Sequence, residues 1–372
     1  MGEWKEYRLD EIAEILDYKR KPLSSMQRSV RKGEIPYYGA SGIIDYIDDY
    51  IFEGEHVLIS EDGENLRSRQ TPIAFLADGK FWVNNHAHII KSDYIHNRLI
   101  CYYFANFDLN PFLTGAVQPK LSQDSLMRIP IFLPKSIEDR KQIVSIIASV
   151  DDKIDLLYQE NKTLEAMAET LFRQWFIEGA KEEWEEKDIY TYAEHYKVSV
   201  VPNKHPQMFF RHYSIPAFDN GKEASLEKGE CIQSNKYIVP GNCILFSKLN
   251  PHKDKRVWLI LDGIENNAIC STEFQIIKPK KSDYLYFLYG WLTSKENYEE
   301  ISSGVGGTSG SHQRIDPKSI FTFSCPNVDV ETIYSYNKMV EPLYYKQKLN
   351  QNQITNLKEQ RNSLLQKLMS NQ

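Results

Sequence analysis

The chain has 372 residues and a net charge of −6, and 41% of its residues are hydrophobic. These values are typical of a folded protein with two or three domains and exclude a disordered chain. No run approaches the roughly 18 apolar residues of a membrane helix, and MGEWKEYRLDE lacks an apolar signal region. The five scattered cysteines form no CxxC pair, which favours reduced thiols in a cytoplasmic protein over disulfides or a zinc site.

The first block, residues 1–136, is predicted to mix short strands with helices. It opens with the amphipathic segment EWKEYRLDEIAEI, and a basic loop over residues 17–34 follows. The strand-like runs after this loop are IPYYGASG, HVLIS, PIAFLA, FWVNNHAHIIK and RIPIFLP, each bounded by Gly, Asp, Asn or Pro. An apolar helix is predicted from Leu99 to Phe107, and the loop TGAVQPKLS separates it from the last strand.

A long central helix is predicted within residues 137–182, because near-apolar residues recur in alternating steps of 4 and 3. This first heptad seam consists of Ile143, Ile147, Val150, Ile154, Leu157, Asn161, Leu164, Ala168, Leu171 and Trp175. The alternative for a short pattern is an ordinary amphipathic helix on a globular core. Persistence over more than four heptads favours a coiled coil.

The second block, residues 183–328, repeats the plan of the first block. The corresponding segments are EWEEKDIY and EWKEYRLD, PGNCILFSKLNP and EGEHVLISEDGE, NNAICSTEFQIIKPK and WVNNHAHIIKSD, YLYFLYGWLTS and LICYYFANFDL, and HQRIDPKSIFTFSCP and VQPKLSQDSLMRIPIFLP. In the last pair Arg314 is aligned with Lys120. The repeat predicts a pseudo-two-fold arrangement within one chain.

The C-terminal segment, residues 329–372, carries a second heptad seam. It consists of Ile333, Tyr336, Val340, Leu343, Gln347, Asn350, Ile354, Leu357, Arg361, Leu364 and Leu368. Polar seam residues such as Asn161 and Asn350 cost stability but specify register and partner, so we predict that the two long helices pair with each other. The block between them favours an antiparallel pair. Pro342 requires a helix start or a break, so both helices are predicted to begin near Pro342 and its counterpart Ser149.

The negative charge is concentrated around the central helix. Residues 136–194 contain fifteen acidic and seven basic residues, a net charge of −8. Because the whole chain carries −6, the remaining residues carry a net charge of +2. Residues 19–32 carry six Lys or Arg and no acid, and residues 248–256 carry four bases and one acid. Each basic run is either a solvated face or a nucleic-acid contact.

Catalytic motifs are missing from the sequence. GVGGTSG, residues 304–310, has no following Lys-Ser/Thr, and there is no Asn/Asp-Pro-Pro-aromatic loop of a base-amino methylase. His86 and His88 have the spacing of two metal ligands on one face of a strand, but no third ligand is evident. A hydrogen-bonding or base-contacting histidine is the alternative. The pattern indicates a binding protein with no metal or cofactor of its own.

Polar and basic residues lie on predicted loops of both blocks. Lys and Arg neutralise phosphates and pair with guanine, while Asn and Gln pair with adenine, so these loops favour duplex DNA. The candidate DNA-binding residues are Arg20, Lys21, Arg28, Arg31, Lys32, Asn65, Arg67, Arg69, His86, Gln118, Lys120, Arg211, His212, Lys248, Asn250, His252, Lys253, Lys255, Arg256, His312, Gln313 and Arg314. Two unequal blocks on helices of roughly 50–60 Å would recognise two half-sites at a fixed separation.

With these features the whole chain resembles a type I restriction-modification specificity subunit. The resemblance rests on KQIVSIIASVDDKIDLLYQENKTLEAMAETLFRQWF, EWKEYRLDEI and the paired GEHVLIS/GNCILFS and QPKLS/HQRID segments. It implies an α+β fold with two mixed α/β target-recognition domains, 1–136 and 183–328. Two long antiparallel coiled-coil helices, 137–182 and 329–372, separate these domains. Recognition loops vary most in this family, so the residue candidates rest on loop composition alone.

The resemblance also implies a non-catalytic subunit that binds an asymmetric bipartite sequence in double-stranded DNA. It implies docking to two modification subunits, which carry S-adenosylmethionine and methylate adenine, and through them to restriction subunits that use ATP and Mg. A different hypothesis is a protein-binding scaffold that uses its acidic helices. A cytoplasmic location without a membrane partner is expected, and catalysis by this chain alone has little support.

Overall fold

A computed structural model describes residues 3–115, 118–251, 255–261, 267–303 and 314–369. The chain divides into two compact units. Unit 1 is Met1–Lys153 with Leu357–Gln372, and unit 2 is Ile154–Asn356. Across the described ranges, no helix is both long enough and apolar enough to cross a membrane.

Helices and strands are mixed throughout the chain, as the predicted α+β class requires. The described strands are β1 (Trp4–Tyr7), β2 (Glu14–Ile15), β3 (Lys32–Gly39), β4 (Gly42–Ile47), β5 (Phe52–Glu53), β6 (His56–Ser60), β7 (Ala74–Ala77), β8 (Lys80–Val83), β9 (Ala87–Lys91), β10 (Ile131–Pro134), β11 (Glu186–Asp188), β12 (Ala193–Tyr196), β13 (Ser199–Val200), β14 (Phe209–Tyr213), β15 (Ser225–Lys228), β16 (Lys236–Ile238), β17 (Cys243–Ser247), β18 (Val257–Ile260), β19 (Ala268–Ser271), β20 (Phe274–Pro279) and β21 (Ser324–Pro326). The described helices are α1 (Leu9–Ile12), α2 (Ser25–Ser29), α3 (Asn65–Ser68), α4 (Tyr94–Asn106), α5 (Gln123–Met127), α6 (Ile137–Arg173), α7 (Ile215–Asp219), α8 (Tyr284–Thr293), α9 (Lys295–Ser303), α10 (Pro317–Phe321) and α11 (Val330–Met369).

Unit 1 is built around a four-stranded antiparallel sheet in the order β2-β9-β6-β7. A second sheet has the order β4-β3-β8-β5, and β1 pairs with β10. Side chains of β6 alternate between the faces of the first sheet. Val57 and Ile59 join a core with α4 and the first part of α6, whereas Leu58 joins a core with Phe81 of the second sheet. Strand β6 is therefore covered on both faces, which explains its continuous apolar run.

Unit 2 has the same strand order as unit 1. The sheet β12-β20-β17-β18 corresponds to β2-β9-β6-β7, and β11 pairs with β21 as β1 pairs with β10. In the second sheet, β13-β16-β19-β14-β15, the parallel pair β14–β19 corresponds to the parallel pair β3–β8. The internal repeat inferred from the sequence is therefore present in the topology.

The long helices run antiparallel within unit 2. Asn161 of α6 accepts a hydrogen bond from Asn350 of α11 at 2.9 Å. Further along α6, the ring of Phe172 lies 6.1 Å from that of Tyr336, so residue numbers fall on α11 as they rise on α6. The division of the chain into four segments at 136, 182 and 328 stays a prediction, because units 1 and 2 share both helices.

Unit 1 contains the other ends of the same helices. Leu365 of α11 joins the buried core that contains Ile147 of α6, and Arg361 donates a hydrogen bond to Asp151 at 2.8 Å. The seam residues singled out in the sequence are all buried or half-buried: Ile154, Leu157, Asn161, Leu164, Leu171, Ile354, Leu357 and Leu364. The side chain of Leu368 lies outside the described part of the chain.

The predicted helix starts near Ser149 and Pro342 are wrong. Helix α6 begins at Ile137 and α11 at Val330, and Pro342 lies inside α11. An interior proline costs roughly 3 kcal/mol. On either side of Pro342, Val340 and Tyr344 are buried in the core of unit 2, so tertiary packing holds the helix through the proline.

Candidate nucleic-acid interface

Each unit has a site where the end of its central strand meets a loop that precedes a short helix. We call the residues around Glu61, which follows β6, strand-end site 1, and those around Lys248, which follows β17, strand-end site 2. The same three backbone contacts occur in both sites. In site 1, Leu121 N donates to Glu61 O at 2.7 Å, Glu61 N donates to His86 O at 2.9 Å, and Asp62 forms a bridge with Lys120. In site 2, Ile315 N donates to Lys248 O at 3.1 Å, Lys248 N donates to Glu273 O at 2.9 Å, and Leu249 forms a bridge with Arg314. The two sites are therefore equivalent position by position, as the alignment of Arg314 with Lys120 predicts.

Strand-end site 1 contains a closed network of charges around Glu61. Arg20 Nη1 lies 2.5 Å from Glu61 Oε2, and Lys120 Nζ lies 3.2 Å from Glu61 Oε1. Burial raises the pKa of Glu61, but the Arg20 hydrogen bond, the charges of His88 and Arg20, and the Lys120 hydrogen bond outweigh burial and leave the pKa below its ordinary value. Two of the candidate DNA-binding cations are thus paired with one carboxylate.

His88 is buried beneath this network. Its Nδ1 lies 2.6 Å from Asp17 Oδ2, and its Nε2 lies 2.8 Å from the carbonyl oxygen of Leu121. Burial raises the pKa of Asp17, yet hydrogen bonds from His88 and the Ile89 amide and the charges of His88 and Arg20 lower it overall. The network therefore fixes the basic loop and the loop that carries Lys120 against the same strand.

Asp17, Glu61 and His88 bring their ligand atoms within 4.8 Å of one another, a set that could hold a metal ion. Those atoms already bond to protein groups, including Arg20, so the set is a satisfied ion network as it stands. The predicted pairing of His86 with His88 on one strand face is wrong. His86 lies in the turn before β9 and bonds to Asp62 at 2.8 Å, because the strand begins only at Ala87.

The cations of the basic loop pair with the hairpin β3–β4. Arg28 and Lys32 both bond to Asp45, at 3.1 and 2.7 Å, and Arg31 bonds to Asp48 at 2.9 Å. The Lys32 hydrogen bond, the amide of Tyr46 and Arg28 lower the pKa of Asp45 to about 2. These cations hold the loop on the hairpin, which leaves less of their charge for phosphate groups.

Other candidates of the first block divide into loop supports and exposed groups. Arg69 donates to the carbonyl oxygens of Phe104, Ala105 and Phe107 at the end of α4, so it caps that helix. Asn65 closes a loop through two hydrogen bonds to the backbone of Thr71. The exposed candidates here are Lys21, Arg67 and Gln118.

Strand-end site 2 combines Lys248, Arg314 and Glu273. Arg314 is 58% exposed and bonds to Glu273 at 2.8 Å. Burial lowers the pKa of Lys248, and the charges of Arg314 and Lys197 lower it further against the opposing effect of Glu273. Site 2 therefore gathers three cations around one carboxylate.

The remaining candidates of the second block lie around this site and on strand β14. Arg256 forms two hydrogen bonds to Asp219, Lys255 donates to the carbonyl of Thr293, and His212 bonds to Glu227 at 3.0 Å. Arg211 lies on β14 and Asn250 has a positive φ of 46°. His252, Lys253, His312 and Gln313 lie outside the described residues.

Comparison with known proteins identifies the family. Residues 1–166 match the family model "Type I restriction modification DNA specificity domain". A Haemophilus influenzae protein named as the type I restriction enzyme specificity subunit S.HindORF215P is 42% identical over 146 residues, which are 39% of this chain and 36% of that protein. The MjaIX specificity subunit of Methanocaldococcus jannaschii is 24% identical over 91% of this chain and 86% of its own length. Residues 1–166 belong to the type I restriction-modification DNA specificity domain family, and the comparisons together support a type I restriction-modification specificity subunit.

The fold of this specificity subunit has a counterpart among solved structures. The S subunit of a type I restriction-modification system from M. genitalium superposes with a TM-score of 0.61 over 99% of this chain and 96% of its own, at 12% identity. At that identity the likeness concerns the fold alone.

Several residues of the specificity subunit's sites were missed in the sequence. Glu61, Glu273 and Gln275 were not candidates, because only side chains that suit phosphates or base edges by charge were selected. The signal was present in the aligned segments, where Glu61 of EGEHVLISEDGE stands opposite Lys248 of PGNCILFSKLNP. This reversal of charge between otherwise similar segments marks a position where the two units differ in chemistry.

Proposed function

We propose that this specificity subunit recognises an asymmetric bipartite sequence in double-stranded DNA, one half with each unit. The observation that carries the proposal is one topology repeated with different side chains at equivalent positions. Glu61 and His86 of unit 1 correspond to Lys248 and Glu273 of unit 2. Because base edges are distinguished by their donors and acceptors, two units that differ at these positions support two different half-sites.

The exposed polar groups of both strand-end sites support contact with DNA. The side chains of His86, Lys120 and Arg314 are 47%, 52% and 58% exposed, and each is paired with a carboxylate. Because the basic side chain of each pair is exposed, a phosphate or base edge can reach it from solvent. The acidic excess of residues 136–194 lies away from these loops in the sequence.

The long helices are proposed to dock two modification subunits and, through them, the restriction subunits. Leu156 and Met167 of α6 are 59% and 48% exposed, and their separation of eleven residues places them on one face, three turns apart. Exposed large apolar side chains support a protein-binding surface. In this proposal the chain is non-catalytic, and its partners bind S-adenosylmethionine, ATP and Mg.

The helices are also proposed to fix the gap between the two half-sites. The 37 residues of α6 correspond to about 55 Å. Inserting four residues, about one turn, into both helices is expected to lengthen the gap in the target. An unchanged gap would exclude this role.

Selection from a random duplex library, using the full chain with its modification subunit, tests recognition. We expect a consensus with two separated half-sites. His86→Gln should change only one half of that consensus and the matched variant Glu273→Gln, at the equivalent position of unit 2, only the other. If no sequence is enriched while the modification subunit still binds, the chain is a protein-binding scaffold instead.

A further inference from the structure

The two strand-end sites carry opposite charge at equivalent positions. In site 1, Glu61 lies between Arg20 and Lys120 and neutralises both. In site 2, Lys248 occupies the backbone position of Glu61. Within the ranges that the structure describes, its ammonium group makes no direct hydrogen bond or ion pair. Site 2 therefore has a half-buried cation without a direct partner where site 1 has a paired carboxylate.

The surroundings of Lys248 are positive overall. The charges of Arg314 and Lys197 lower the pKa of Lys248, and the carboxylate of Glu273 opposes them. Glu273 also holds the guanidinium of Arg314 at 2.8 Å, while 58% of the Arg314 side chain stays exposed. Three cations and one carboxylate favour the approach of an anion.

A buried amide lies on the same face of the sheet. Gln275 of β20 pairs with Phe246 of β17, and side chains of paired residues share a face. Lys248 is two residues beyond Phe246 and shares this face as well. Gln275 is 1% exposed, and neither its Nε2 nor its Oε1 has a hydrogen-bond partner among the described residues. Buried amides are normally paired, so this one points to a group that completes the site.

The equivalent residue of unit 1 shows what a completed site looks like. His88 pairs with Ile59 of β6 as Gln275 pairs with Phe246 of β17. Both ring nitrogens of His88 are bonded, to Asp17 and to the carbonyl of Leu121. Site 1 is thus satisfied by the protein's own groups, whereas Gln275 of site 2 lacks a partner in the described part of the chain.

We propose that Lys248, Arg314 and Gln275 bind one phosphodiester group of duplex DNA. Lys248 and Arg314 supply the charge and Gln275 Nε2 supplies a neutral donor, while Glu273 orients the guanidinium. Strand-end site 1 does not bind a phosphodiester in this way, because the carboxylate of Glu61 fills the position of Lys248. The inference rests on the proposed function and adds that the two halves use phosphate contacts unequally.

The salt dependence of DNA binding by the full chain tests the inference. The slope of log K against log salt is negative, and each lost phosphate contact makes it less steep by about one. Lys248→Met should therefore make the slope less steep by about one. The matched control is Lys278→Met on β20, the strand of Gln275, where the lysine points to the opposite face from Gln275 and pairs with Glu194 at 3.7 Å. The control should keep the slope of the unmodified chain.

Two further variants keep the test decisive if Lys248→Met does not fold. Arg314→Gln removes one positive charge from an exposed side chain, so it should also make the slope less steep by about one. Gln275→Leu removes a donor but no charge, so we expect weaker binding at an unchanged slope. If Gln275→Leu binds DNA as tightly as the unmodified chain, Gln275 does not contact the phosphodiester.

The outcomes separate this inference from the proposed function. If the unmodified chain binds its target selectively but Lys248→Met and Arg314→Gln both keep its slope, the phosphodiester site is refuted and DNA recognition stands. If the unmodified chain prefers no sequence at any salt concentration, the proposed function fails instead.

Discussion

Gly290 of α8 lies directly against the ring of Phe172 of α6 in unit 2. A Cβ atom added at this glycine would lie 2.2 Å from Cδ2 and 2.8 Å from Cε2 of Phe172 on α6. The ring of Phe172 cannot move aside easily, because it is 1% exposed and packs against Phe176 and Tyr336 at centroid distances of 5.1 and 6.1 Å. Gly290→Ala therefore tests whether this contact fixes α8 on the long helix.

The expected magnitude follows from two opposing effects. Overpacking a core costs about 1–3 kcal/mol, whereas alanine gains roughly 0.5–1 kcal/mol over glycine inside a helix. Mid-range values of these two effects, about 2 and about 0.75 kcal/mol, leave Gly290→Ala with a net loss of about 1 kcal/mol in the free energy of unfolding. Without the ring contact, the same substitution would raise it.

Urea denaturation followed by circular dichroism measures this change. The matched background is Phe172→Leu, which removes the ring that Gly290→Ala meets. In that background the alanine should cost less by at least about 0.5 kcal/mol, since the residues are in direct contact. A variant as stable as the unmodified chain, or an equal cost in both backgrounds, would refute the reasoning.

Three further predictions concern the helix pair, a helix cap and acid stability. Replacing Asn161 and Asn350 together by Leu should raise the midpoint of thermal unfolding but broaden the range of oligomers in light scattering, because the polar pair specifies register; a single species would count against that role. Arg69→Ala should lower the free energy of unfolding by about 1–2 kcal/mol through loss of the α4 cap, and the urea midpoint should fall with it; an unchanged midpoint would exclude capping. The pKa values of Asp17 and Glu61 are lowered in the folded state, so their stabilisation is complete above about pH 5 and is lost as the pH falls through those lowered values. The urea midpoint of Asp17→Asn should therefore fall less between about pH 6 and about pH 3 than that of the unmodified chain, and an identical fall would contradict the assignment.

The long helices and the main strands were predictable from the sequence because their signals are local. A seam with heptad spacing extends over most of α6 and α11, and β6 appears as the run HVLIS. The continuation of α11 through Pro342 was not predictable, since it depends on packing by Val340 and Tyr344. Local rules fail where tertiary contacts outweigh a local cost.

The candidate site was only partly predictable. The alignment of Lys120 with Arg314 found the equivalent loops, and both residues lie at strand-end sites. The ion pairs could not be predicted, because Arg28 and Asp45 are 17 residues apart and meet only when the hairpin β3–β4 forms. A list of cations therefore overestimates the charge available for DNA.

The shared helices also bear on how the chain folds as it is synthesised. Domains commonly fold in order during translation, with the N-terminal one first. Here Leu365, made long after the strands of unit 1, is buried in the core that also contains Leu9 and Leu99. The core of unit 1 therefore stays incomplete until the ribosome has produced the segment from Leu357 onward, and a stop codon before residue 357 would leave that core open.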